Sequence, residues 1–201
     1  MHLLSERARE LARGERERYG GFNKGRGFRR AVFRAGELGR QHPLYPFPPF
    51  GAGVNMAFRT RVLRELGGFE LALGPGKGKG GGEDTAMLAE ILMGGWTIAY
   101  EPGAVVRHLH RREEDVLHRQ LRGYGIGLTA YLAWCVHRHP RESLGLARMS
   151  VPALRYLLSR GAAHDGGDAP GYPPSLSTAL RRGLPLGPWA YARAARATRR
   201  T

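Results

Sequence analysis

The sequence predicts an α/β chain, with a small mixed sheet carrying packed helices and then a C-terminal helical region. Three observations support this. In GAGVNMAFRT, Val54, Met56 and Phe58 alternate with smaller or polar residues, as on a half-buried strand. Between Glu83 and Met93, the apolar residues Met87, Leu88, Ile91 and Leu92 recur at helical spacing. From Glu113 to His137 the chain is again patterned as a helix, and a longer one.

The elements follow in chain order. Residues 2–18 are predicted helical, with Leu3, Leu4 and Leu11 as the apolar positions. YGGFNKGRGFRR and HPLYPFPPF are too rich in glycine and proline for regular structure. After the strand at 54–58, RVLRELGGF reads as a short helix ended by Gly67 and Gly68. A GKGKGGG loop leads into the helix starting at Glu83, which Gly94 and Gly95 stop. WTIAYEP and AVVRHLHR read as two short strands. Beyond His137, short helices alternate with breaks such as those in GLPLGPWAYARAARA. Three regions result: a basic Gly/Pro-rich lead-in at 1–50, a central domain at 51–127 and a helical basic tail at 128–201.

With 201 residues, 42% of them hydrophobic, the chain can bury one good core or one core plus an appended helical region. It contains no 18-residue apolar run, and its N-terminus is charged throughout, unlike a signal peptide. The expected location is therefore cytoplasmic. Cys135 is the single cysteine, which excludes an internal disulfide and a cysteine-rich metal site; its apolar surroundings make it a small core residue.

The net charge of +15 suggests nucleic acid until it is mapped. Residues 1–50 hold eleven basic residues against five acidic ones, 51–111 hold seven against six, and 112–201 hold fourteen against six. A nucleic-acid protein should carry its charge on the ordered core, and here the core is nearly neutral, which argues against that partner. The last 21 residues contain six arginines and no acid. This tail, 181–201, could contact an anionic membrane surface at its cytoplasmic side or remain solvated.

GGGEDTAMLAE, residues 80–90, places Glu83 and Asp84 in the first turn of a helix behind bare backbone. Acids favour that position simply because they complement the partial positive charge of a helix N-terminus. The functional reading is that one carboxylate is a general base facing a substrate hydroxyl. Further along, His108 and His110 are two apart and would share one face of a strand. H-x-H alone is weak evidence for a metal, which needs further ligands. Arg111 has the fork geometry for a diphosphate contact.

Taken in order, G-x-N-x-A-F-R, L-G-G-F, G-G-E-D, Y-E-P and V-x-H-x-x-R, together spanning residues 51–127, resemble the C-terminal half of a family 2, GT-A type glycosyltransferase. G-G-E-D is also similar to the G-G-D-E-F hairpin of diguanylate cyclases, but an amphipathic helix follows it here. The resemblance implies a partial GT-A fold and transfer of a sugar from a nucleotide-sugar donor to a hydroxyl acceptor. It implies that Asp84 is the base of an inverting reaction and that Glu83 shapes the acceptor site. Gly51, Gly53, Asn55 and Gly82 would line the substrate pocket, Arg111 would touch the diphosphate, and His108 would be a metal ligand.

The nucleotide-binding half and its D-x-D, which the resembled enzymes carry before this region, are missing from the sequence. The complete enzyme is expected to use a divalent metal, Mn or Mg, and this chain alone to bind none tightly. It is therefore expected to be a truncated frame, a fragment or a half that needs a partner. The alternative is a non-catalytic basic protein that binds nucleic acid or an anionic membrane surface.

Overall fold

A computed structural model describes residues 29–38, 42–46, 53–76, 80–106, 114–146 and 174–198. The helix predicted over 2–18 lies outside these residues, as do Gly51, His108, His110 and Arg111.

Strand β1 (Ala31–Phe33) is followed by a 3-10 turn, helix α1 (Thr60–Glu65), helix α2 (Glu83–Met93) and strand β2 (Ile98–Tyr100). Helix α3 (Glu114–Arg138) is the longest element among the described residues, and a short helix α4 spans 140–146. Helix α5 (Pro174–Gly183), a 3-10 turn at Leu184–Leu186 and helix α6 (Gly187–Thr198) complete the C-terminal part. Helices α1, α2 and α3 occupy the positions that the sequence periodicity predicts. Among the described residues, no helix is long and apolar enough to cross a membrane.

The sheet differs from the expected mixed one. Among the described residues it has two antiparallel strands, with Ala31 opposite Tyr100, Val32 opposite Ala99 and Phe33 opposite Ile98. Its first strand comes from the stretch before residue 51, where the sequence reading placed no strand. The strand expected over 54–58 does not form, and residues 104–106 are likewise irregular. Alternation reports which side chains face the core, but a strand also needs a neighbour to satisfy its backbone groups. Met56 and Phe58 do pack inward against Leu88 and Leu92, without a ladder beside them. Instead, Asn55 Nδ2 donates to the carbonyl of Ala104 at 2.5 Å, so a side chain joins the two irregular segments.

Helix α2 is the centre of the fold, and its apolar residues point three ways. Leu88 and Leu92 meet Phe33 and Ile98 of the sheet. Met87 and Ile91 meet Val62 of α1, with Leu66 and Trp96 beside them. Ala86 and Ala89 face α3 and α6 and join a cluster with Tyr131, Trp134, Cys135, Tyr191 and Ala194. A helix with apolar residues on most of its circumference is stable only when enclosed in this way. Cys135 is fully buried, as its apolar surroundings predict, and burial pushes its thiol up to about 12, so it is a packing residue and not a nucleophile. Glu90 ties α2 to the end of α3, its Oε1 lying 3.0 Å from His139 Nε2 and 3.3 Å from Arg138 Nε.

Candidate active site

The glycine loop places the acid pair by backbone geometry. Gly82 caps α2 at φ 117°, a left-handed conformation that residues with a Cβ rarely adopt. The turn brings Glu83 and Asp84 to the helix start, where the exposed N–H groups of the first turn favour negative charge.

Asp84 is held on both oxygens. Its Oδ2 accepts the Gly53 N–H at 2.9 Å, and its Oδ1 accepts the Thr85 N–H at 2.7 Å, with the Thr85 hydroxyl at 3.4 Å. The side chain is half-buried, and Gly53, Val54 and Asn55 beside it are exposed. The carboxylate is therefore fixed in direction yet open to solvent on one side. Glu83 turns back onto the loop, its Oε2 accepting the Gly82 N–H at 3.0 Å. Partial burial raises its pKa, with the neighbouring Asp84 charge adding to the effect, while the bonds from the Glu83 and Gly82 backbone oppose it.

Beneath the loop lies α3. The backbone of Gly80 rests against Gly123 and Gly127: a Cβ added at Gly127 would stand 2.6 Å from the Gly80 carbonyl oxygen and 2.7 Å from that of Gly81. Only bare backbone on both sides permits this approach. The one-turn spacing of Gly123 and Gly127 was a readable signal for such a contact. The role of Thr85 had no comparable signal, because a threonine after an acid is unremarkable in a helix.

The structure thus brings together Gly53, Gly82, Glu83 and Asp84, and sets Asn55 beside Ala104, four residues before His108. Gly51, His108 and Arg111 lie outside the described residues. Among the described residues, no three His, Cys, Asp or Glu side chains converge as a metal site. A cavity of about 390 Å³ lies elsewhere, walled by the Gly67–Gly68 turn, Glu90, Trp134 and Tyr191, and Asp84 does not line it.

Residues 31–125 match the model of the glycosyltransferase like family 2. The chain carries a partial family 2 glycosyltransferase domain. No curated protein and no solved structure matches the chain. The family 2 match starts at the first residue of β1 and runs through α1, α2 and β2 into α3. It therefore takes in the strand before residue 51 that pairs with β2, as well as the whole Gly53–Asp84 arrangement. A domain of this family supports glycosyl transfer in general, a chemistry that uses a nucleotide-sugar donor and an acceptor.

Proposed function

We propose that this domain supplies the acceptor side of an inverting glycosyltransferase, with Asp84 as the general base. The observation that carries the reading is the anchoring of Asp84. A carboxylate held by the Gly53 and Thr85 N–H groups at a half-open helix start is aimed without being enclosed. An acceptor hydroxyl reaching its open side would donate to it. As the acceptor oxygen bonds to the anomeric carbon, its proton passes to Asp84. The bond from that carbon to the diphosphate breaks, and the nucleoside diphosphate leaves from the opposite face. The hydroxyl becomes acidic only as the new bond forms, so position matters more than basicity.

Glu83 and Gly82 shape the acceptor side of this shelf, and Gly51, Gly53 and Asn55 the sugar side. Arg111 contacts the diphosphate. A divalent cation, Mn or Mg, would neutralise the leaving diphosphate when bound. His108 is proposed as one of its ligands. Its remaining ligands are proposed to come from a nucleotide-binding half, whether lost from a truncated frame or fragment or carried by a partner chain. The reading extends to peripheral contact of residues 181–201 with an anionic surface at the cytoplasmic face of the membrane.

The test is Asp84→Asn in a preparation that turns over a nucleotide-sugar donor. Loss of about a hundredfold or more in turnover is expected, the scale for removing a general base. Donor binding should survive, because neither acid touches the nucleotide in this reading. Turnover retained by Asp84→Asn but abolished by His108→Ala would overturn the assignment.

A further inference from the structure

The corner between α5 and α6 presents apolar side chains to solvent from a backbone packed on α3. Its inward groups are locked onto α3. Thr129 Oγ1 donates to the Leu184 carbonyl at 2.6 Å, and a Cβ added at Gly187 would stand 2.4 Å from the Ile126 carbonyl oxygen. Leu184, Gly187, Tyr191 and Ala194 are buried along this seam. The intervening residues consequently point away: Leu186 is 37% and Trp189 64% exposed, with Pro185 and Pro188 exposed beside them.

Along the segment that forms this corner the charge is of one sign. Arg182, Arg193 and Arg196 are exposed, and Arg181 is partly so. Residues 174–201 contain no Asp or Glu. Trp189, Arg193 and Arg196 fall at i, i+4 and i+7 and so form one stripe on α6. The Arg193 guanidinium sits 5.1 Å from the centroid of the Trp189 ring.

We propose that this corner is a lipid-docking surface, with α6 lying in the plane of an anionic bilayer. Trp189 and Leu186 would enter the headgroup boundary, and the four arginines would pair with lipid phosphates. The inference deepens the proposed membrane contact by assigning it to folded residues with an apolar anchor, where charge alone would give only loose attraction. Trp is suited to such an interface, with an apolar body and a polar N–H, and arginine stems can lie along apolar surface while their heads reach phosphate. Nucleic acid would also attract the arginines and could stack a base on Trp189. It would gain nothing from the aliphatic Pro185 and Leu186 edge, however, and that favours the bilayer.

Sedimentation of the full chain with phosphatidylcholine vesicles containing phosphatidylglycerol tests this without any sugar donor, so its outcome is separate from that of the glycosyltransferase reading. Binding is expected to need the anionic lipid and to weaken as salt rises. Trp189→Glu and the pair Arg193→Glu/Arg196→Glu should each weaken it by about tenfold or more, since each basic residue near such a surface adds about fivefold. These side chains are exposed, so circular dichroism should show the fold unchanged. Brominated lipid should quench the fluorescence of the wild-type chain but not of Trp189→Phe. Vesicle binding unaltered in these variants would overturn the proposal. So would binding to single-stranded RNA through the same residues with none to vesicles.

Discussion

The backbone N–H of Gly53 holds Oδ2 of Asp84 at 2.9 Å across 31 residues of sequence, and this bond aims the proposed base. A Cβ at position 53 would stand 2.8 Å from that oxygen. Gly53→Ala is therefore expected to displace the carboxylate and lower turnover by about tenfold or more, because small misplacements of a catalytic group are costly. Gly53 is exposed, so the melting temperature should stay within about 2 °C, as for most surface substitutions. Unchanged turnover in Gly53→Ala would show that the bond does not direct the base.

Glu83 makes a prediction about pH. Burial raises its pKa above the ordinary 4.5. A carboxylate raised on folding binds its proton more tightly in the native state, so its contribution to stability is greatest at low pH and diminishes as pH rises from 4.5 through the native value. Glu83→Gln cannot ionise, yet its carbonyl can still accept the Gly82 N–H. Relative to wild type, the variant should gain stability as pH rises through that window. Urea denaturation at pH 4, 5, 6 and 7 measures this. A wild-type advantage that grows with pH would contradict it.

Gly127 supports the acidic loop from below. Gly127→Ala places a Cβ against two carbonyl oxygens, at 2.6 and 2.7 Å. Backbone cannot move aside as a side chain would, so a loss of about 1–3 kcal/mol is expected, the usual range for overpacking. By contrast, Gly145→Ala in α4 meets no atom within 4 Å and should be neutral or slightly stabilising. Comparable urea midpoints for the two variants would exclude a tight seat for the loop on α3.

Isothermal calorimetry addresses metal and donor. The described residues do not gather three metal ligands, and we expect the isolated chain to bind neither manganese nor a nucleotide sugar tightly. Dissociation constants in the micromolar range for either would refute the idea that a second half supplies the missing ligands.

Much of the fold was legible locally. The boundaries of α2 follow from an acidic start, apolar residues three and four apart and the Gly94–Gly95 stop, all within twelve or so residues of one another. α1 and α3 were also legible locally, from their apolar spacing, and the acid pair was visible because a glycine run ahead of a helix start is a local pattern. Ile98–Tyr100 was legible as a strand, but its partner was not. Ala31–Phe33 is short and lies in a stretch dominated by glycine, proline and arginine, so alternation there carries little weight.

By itself, then, the sequence determined where α1, α2 and α3 run, which residues are apolar on α2, and that Asp84 stands at a helix start. Only the tertiary structure decided that β2 pairs with residues 31–33, that Gly53 rather than a side chain holds Asp84, and that Gly127 supports the loop. It also decided that Trp189 faces outward while Tyr191, two residues on, is buried. The physical reason is common to all four. Helix periodicity is set by hydrogen bonds between residues four apart, whereas strand pairing, backbone-to-backbone contact and the choice of outward face depend on which distant segment arrives opposite.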